Sequence, residues 1–209
     1  MEKVLEGHLD DVVTKLDGLT EKSIMYVMRQ VFAALNYLHK KNIAHRDLKV
    51  ENIMVSKIEP FSPGSEDMKL QIKLIDFGLA QFTGGSTMDM QIGTQNWMAP
   101  ELFADNPVHD TKVDVWAAGV LLFYLCGGCV YPFDSDSECD ESNLDQCKEE
   151  VRQKILSAEP DWESANPFKP TAKAFIMKCL TKDPAQRWTA DQALKNEIVK
   201  SVGSVATGA

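Results

Sequence analysis

The sequence predicts a mainly α-helical fold with one small antiparallel β element, and three observations predict it. Residues 20 to 41, TEKSIMYVMRQVFAALNYLHKK, place Ile24, Val27, Val31, Leu35 and Leu38 at three- and four-residue steps, the spacing of an amphipathic helix. From residue 111 onward the apolar spacing is again helical. Between these stretches lie two short segments, NIMVS (52–56) and LQIKLID (70–76); the second alternates Leu70, Ile72 and Leu74 against polar partners, as a half-buried strand does.

Taken in order, the opening MEKVLEGHLDD mixes charges with a turn-forming Gly7 and runs into a helix. Glu2 and Glu6 interrupt any apolar run, which argues against a secretory leader. Thr20 is placed to cap the helix that follows. KIEPFSPGSEDMK, between the two strands, is polar and rich in turn formers and reads as a hairpin loop. Thr111 precedes the most apolar stretch, VWAAGVLLFYLCGGCV (115–130). That stretch contains three glycines and is shorter than the ~18 residues of a membrane span, so it reads as a buried helix. Leu144, Cys147, Val151 and Ile155 share one face of the next helix; Ala172, Phe175, Ile176 and Cys179 share a face of another. Thr189 and Gln192 form a capping-box pattern for a last helix, and residues 199–209, ending in small side chains, read as a disordered tail.

The chain has 209 residues, 44% hydrophobic and 25% charged, enough for a core in one large or two small domains. Its net charge of −9 argues against nucleic acid as a partner, because phosphate-backbone binding needs a basic footprint. An acidic surface suits a basic peptide partner and serves solubility in any case. No stretch points to a membrane. Five cysteines, an odd count without a leader, point to reduced thiols and a cytoplasmic location. Cys126, Cys129, Cys139 and Cys147 can be read as four metal ligands, but the first pair closes the apolar helix and the spacing matches no common zinc pattern.

Five motifs stand in a fixed order: HRDLKVEN (45–52), Asp76 in LIDFG, GTQNWMAPE (93–101), DVWAAG (114–119) and Arg187 in DPAQRW. Together they resemble the C-terminal lobe of a eukaryotic protein kinase of the serine/threonine class. The resemblance covers the chain from end to end apart from about the last dozen residues.

Phosphoryl transfer asks a protein for in-line positioning and neutralised charge. The resemblance implies that Asp47 accepts the proton of the attacking hydroxyl and that Lys49 reaches the transferring group. It implies ATP and Mg²⁺ as cofactors, with Asn52 and Asp76 as oxygen ligands of the metal. Lys49 and Thr94 accord with serine or threonine substrates. The segment YPFDSDSECDESNLDQC (131–147) is longer and more acidic than is usual in the family; near the peptide groove it would attract Arg or Lys of a protein substrate, with Glu51 helping, and the alternative is a solvated loop. His45 and Phe77 resemble a packed pair, Glu101 and Arg187 a buried ion pair, and Asp114 the acceptor for catalytic-loop amides. Arg46 is the family's usual partner for a phosphorylated loop, here with Thr83, Ser86 and Thr87 as candidate sites. Hydroxyls are also common in loops of any kind.

Aligned on the same resemblance, Met1 falls at the gatekeeper, Glu2 and Val4 offer backbone groups to adenine, and Met54 packs beneath the ring. His8 stands where an acidic residue often meets the ribose, with Asp10 or Asp11 as substitutes; Val50 replaces a common Pro, and Trp97 a common Tyr. The expectation is therefore a kinase domain over residues 1–198, running from the hinge through the C-lobe. No glycine-rich loop or strand lysine precedes the hinge, so the N-lobe, a partner in cis, is expected to be absent. The alternative function is a non-catalytic pseudokinase module that binds partners. The long hairpin loop and the MQIGT to DVWAAGV stretch are similar to calcium/calmodulin-dependent and calcium-dependent kinases, whereas WMAPE is more like other serine/threonine groups.

Overall fold

A computed structural model describes residues 6–83, 95–104, 110–136 and 138–203. The elements are β1 (Gly7–His8), α1 (Leu9–Lys15), α2 (Glu21–His39), β2 (Ile43–Ala44), β3 (Ile53–Pro60), β4 (Met68–Leu74) and β5 (Gln81–Phe82), then α3 (Lys112–Gly127), α4 (Leu144–Ser157), α5 (Pro170–Cys179), α6 (Ala190–Lys195) and α7 (Glu197–Lys200). Short 3₁₀ turns lie at Val50–Asn52, Gln95–Trp97 and Pro100–Phe103.

The expected single antiparallel pair is corrected to two sheets. One is three-stranded in the order β1-β3-β4, and the other pairs β2 with β5. The hairpin is also longer than its sequence suggested: β3 runs to Pro60 and β4 starts at Met68, so both ends of the segment read as loop are paired strand and only residues 61–67 form the connection. Turn-forming composition marked the tip, while Lys57 through Pro60 lie in register with Gln71 through Met68, a pairing that their side chains do not announce. The two-residue strands β1, β2 and β5 are too short to show a period.

Helix α2 carries the sheet. Thr20 caps it by accepting from the Ser23 amide, and Ile24, Val27, Val31 and Leu35 are buried along one stripe. β4 is an edge strand, and α2 covers that edge with polar side chains. Gln30 donates through Nε2 to the Leu70 carbonyl (2.7 Å) and accepts from the Ile72 amide at 3.0 Å. The Ser23 hydroxyl accepts from the Met68 amide at 2.7 Å. Both side chains are buried, so these bonds satisfy backbone groups that water cannot reach.

Helix α3 is buried on nearly every face, which is why its sequence shows no polar stripe. It ends where Gly128, at φ 83°, takes the left-handed conformation. Trp116 stacks on Phe133 with ring centres 5.7 Å apart, while Phe175 of α5 meets Phe32 of α2 at 5.6 Å. Thr189 and Gln192 form the capping box of α6. α7 then carries Val199 into the core, and Val202 is also buried, so ordered packing continues past residue 198. Residues 204–209 lie outside the described residues.

The expectation of five reduced thiols is corrected. Cys139 and Cys147 form a disulfide across eight residues, with Cα atoms 6.1 Å apart. An odd count shows only that one thiol is left over, not which others meet in space. The bond removes two of the four sulfurs of the metal reading, and Cys126, Cys129 and Cys179 are free thiols. Among the described residues no helix is long and apolar enough to cross a membrane.

Gly119 of α3 lies against Cys179 at the end of α5. A Cβ at this position would lie 2.7 Å from the Cys179 Cβ and 2.9 Å from the Leu180 Cδ2. Gly119→Ala should therefore cost about 1–3 kcal/mol through overpacking despite its better helix propensity, read as a lower urea midpoint with an unchanged m-value.

Candidate active site

The site is assembled around one buried carboxylate. Asp114, in the first turn of α3, is 1% exposed. Its Oδ2 accepts from the His45 amide and bonds the His39 ring nitrogen, both at 2.8 Å, and its Oδ1 accepts from the Arg46 amide at 2.8 Å. Arg46 has φ 70°, a left-handed backbone that a side-chain-bearing residue adopts only under restraint. The Asp114 bonds supply that restraint and turn the chain into the loop that carries Asp47.

Asp47 is gripped from two sides. Asn52 donates through Nδ2 to the Asp47 carbonyl and to its Oδ2, each at 2.8 Å, and the Lys49 ammonium lies 3.0 Å from the same Oδ2. The Asn52 amide nitrogen is thus committed to Asp47, which leaves Oδ1 as its acceptor end. The carbonyl of Asn52 accepts from the Ile75 amide at 3.0 Å, one residue before Asp76. Asp76 enters the site through this backbone bond. Its own φ is 60°, and its carboxylate accepts from the Gly78 amide at 3.1 Å. His45 adds a cross-tie: Nε2 donates to the Ile75 carbonyl (3.2 Å) and Nδ1 accepts from the Asp47 amide (3.4 Å), the tautomer that satisfies both. The His45 and Phe77 rings lie 4.9 Å apart, with Phe77 about half exposed.

A second tie runs from Arg46, whose Nη1 donates to the Gln81 Oε1 at 2.5 Å. Burial pulls this guanidinium below the ordinary arginine value, and Asp114 opposes the shift. Thr83 closes the β2–β5 ribbon: its amide donates to the Asn42 carbonyl at 2.8 Å and its hydroxyl to the same oxygen at 3.3 Å.

On the adjoining face Arg187 spends all five N–H groups. It meets Glu101 in a two-pronged pair at 2.6 and 2.8 Å and reaches the carbonyls of Thr181, Lys112 and Lys182. Trp97, Tyr124 and Tyr131 pack together, with centres 5.2–6.1 Å apart. The Tyr124 hydroxyl donates to Asp10 at 3.1 Å, so Asp10 is engaged here. Burial, followed by the carboxylates of Glu51, Asp10 and Asp134, pushes the Tyr131 phenol up. Glu51 is exposed, and its carbonyl is hydrogen-bonded to the His8 Nδ1 at 2.7 Å.

Of the other residues singled out from the sequence, Met54 is half-buried on β3 and faces His8 in the strand register. Met1, Glu2, Val4, Ser86, Thr87 and Thr94 lie outside the described residues. The sequence reading missed Gln81, His39 and the Asp10–Tyr124 bond. Gln81 is uncharged and belongs to none of the five motifs. His39 sits in the last turn of an ordinary amphipathic helix.

A family model described as protein kinase domain matches residues 1–199. The chain belongs to the protein kinase family. It is 36% identical over 216 aligned residues to a probable myosin light chain kinase of Dictyostelium discoideum, covering 99% of this chain and 55% of that protein. A second probable myosin light chain kinase of that organism is 33% identical, covering 94% of this chain and 46% of that one. Human calcium/calmodulin-dependent protein kinase type 1B is 35% identical over 196 residues, covering 94% and 52%. The kinase chain thus spans about half the length of these curated relatives.

The match corrects the expectation of a C-terminal lobe whose N-lobe is absent. The kinase-domain model is matched from residue 1, and the first described residues are built into a sheet, Gly7 and His8 pairing with Val55 and Met54. That expectation rested on motifs not found in the sequence, which say less about architecture than a match across 199 residues and a paired strand.

Removing the Asp114 carboxylate orphans the donors of His45, Arg46 and His39 at once. Asp114→Ala should destabilise the domain by ~1–3 kcal/mol per orphaned buried donor, and more than Asp114→Asn, which keeps one acceptor. Paired urea denaturation curves check the order.

Proposed function

We propose that the chain is the catalytic domain of a serine/threonine protein kinase that transfers the γ-phosphate of ATP to protein hydroxyls. The observation that carries this reading is the Asp47–Asn52–Lys49 cluster, joined to the Asp76 loop by the Asn52 carbonyl. Asp47, held at Oδ2, takes the proton of the attacking hydroxyl and orients its oxygen. Lys49 places a positive charge where the transferring group gains negative charge. Asn52 through Oδ1 and Asp76 through its carboxylate supply hard oxygen ligands for Mg²⁺.

The donor set fits that ion. Among the described residues no group of three or more His, Cys, Asp or Glu side chains is arranged to hold a metal alone. Mg²⁺ is commonly bound by one or two protein oxygens together with substrate phosphates, so two protein ligands are what this role needs. Bound ATP with its Mg²⁺ supplies the phosphoryl group and the charge that offsets its oxygens. Met54, with the backbone of Glu2 and Val4, is the proposed adenine contact, and Thr94 together with Lys49 the serine/threonine determinant.

The protein substrate is proposed to be basic. Glu51, Asp10 and Asp134 lie near Tyr131, an acidic neighbourhood that suits guanidinium and ammonium groups.

Two measurements test the proposal. Asp47→Asn should lower kcat for peptide phosphorylation by ~10²–10⁴ with folding retained, and EDTA should stop transfer by the parent chain. Transfer that survives either change would overturn the reading. Replacing the arginines of a basic substrate peptide with norleucine should raise KM about tenfold, with the difference shrinking as salt is added. Equal KM values would remove the basic-substrate part alone.

A further inference from the structure

The two loops that carry the candidate chemistry are each held in a left-handed backbone, Arg46 at φ 70° beside Asp47 and Asp76 at φ 60°. Such conformations persist only where surrounding contacts over-determine them. The Arg46 loop is fixed from behind by the Asp114 carboxylate, through its backbone amides. Its side chain is held separately, Nη1 donating to the Gln81 Oε1 at 2.5 Å. Gln81 lies five positions after Asp76 and pairs with Ala44 across the β2–β5 ribbon. One hydrogen bond therefore clasps the loop bearing the proposed base to the segment bearing the proposed metal ligand. Its acceptor is a neutral amide built into the chain.

We propose that Gln81 is a positioning residue for phosphoryl transfer: it holds the Arg46 side chain, and so the Asp47 loop, in its working arrangement without any phosphate on the protein. This rests on the kinase reading above and adds to it the origin of the arginine's acceptor. A half-buried guanidinium needs an acceptor in its plane, and a carboxamide oxygen meets that need at the reach of a glutamine side chain. A glutamate reaches equally far with a charged oxygen. A leucine of similar size offers none.

The test uses the full chain, freed of phosphate and checked by intact mass, in three forms: parent, Gln81→Leu and Gln81→Glu. The first readout is hydrogen exchange of the peptide covering residues 45–48, which does not depend on turnover. Gln81→Leu should speed that exchange about tenfold, the loss of one charge-assisted hydrogen bond, and Gln81→Glu should return it to near the parent rate. The second readout is steady-state phosphorylation of a basic peptide. Gln81→Leu should lower kcat about tenfold with KM changed less than about twofold, and Gln81→Glu should rescue it. A phosphate-free parent with no transfer while the exchange pattern holds would remove the kinase reading and leave the clasp in place. Unchanged exchange in Gln81→Leu, or equal loss in Gln81→Leu and Gln81→Glu, would overturn the role given to Gln81. So would a phosphate-free parent whose residue 45–48 amides exchange as fast as those of Gln81→Leu.

Discussion

A carboxylate at 1% exposure needs donors around it, and Asp114 has three, two from the backbone of the loop it organises and one from the His39 ring. The arrangement joins three elements at a point: the first turn of α3, the last turn of α2 and the turn that leads to Asp47. Because α3 is buried along nearly its whole length, its first turn is a rigid platform, and the loop inherits that rigidity. The Arg46 backbone conformation, the Asp47 side chain and the Asn52 bonds all follow from that anchor. The acid is embedded in the most apolar helix of the chain, where the cost of leaving it unpartnered is highest and the geometry it imposes is correspondingly firm.

The second support is the two-pronged pair of Arg187 with Glu101. Arg187 is almost fully buried, with every N–H engaged, and its guanidinium lies 5.1 Å from the Trp116 ring. It links the segment after Trp97 to the base of α3 through the Lys112 carbonyl. The two buried ion systems therefore share α3: Asp114 faces the loop of Asp47, and the chain around Lys112 receives Arg187. Substrate-side and catalytic-side segments are referred to one helix, which limits how far they can drift apart.

Much of this was legible before any coordinates. The period of residues 20–41 predicts α2 because one face must be apolar, and the absence of a polar stripe in α3 follows from burial on all sides. Motif order singled out Asp47, Asn52, Asp76, Asp114 and Arg187, since spacing along the chain survives when neighbours in space do not show. Pairings of ordinary residues were not legible. Gln81, His39 and Tyr124 have unremarkable types at unremarkable positions, and their partners are 35, 75 and 114 residues away. The two-residue strands hold too few side chains for alternation to register. The Cys139–Cys147 bond depends on a loop path that cysteine counting cannot supply.

The cover that Gln30 and Ser23 place over β4 has an effect beyond positioning Asp76. An outer strand whose carbonyl at Leu70 and amides at Met68 and Ile72 are already spoken for offers no template there for a foreign strand. On this side the sheet is closed to growth, to exchange of strands between copies and to capture of extended peptides. Extended partners must therefore engage this domain by some route other than strand addition along that stretch of β4.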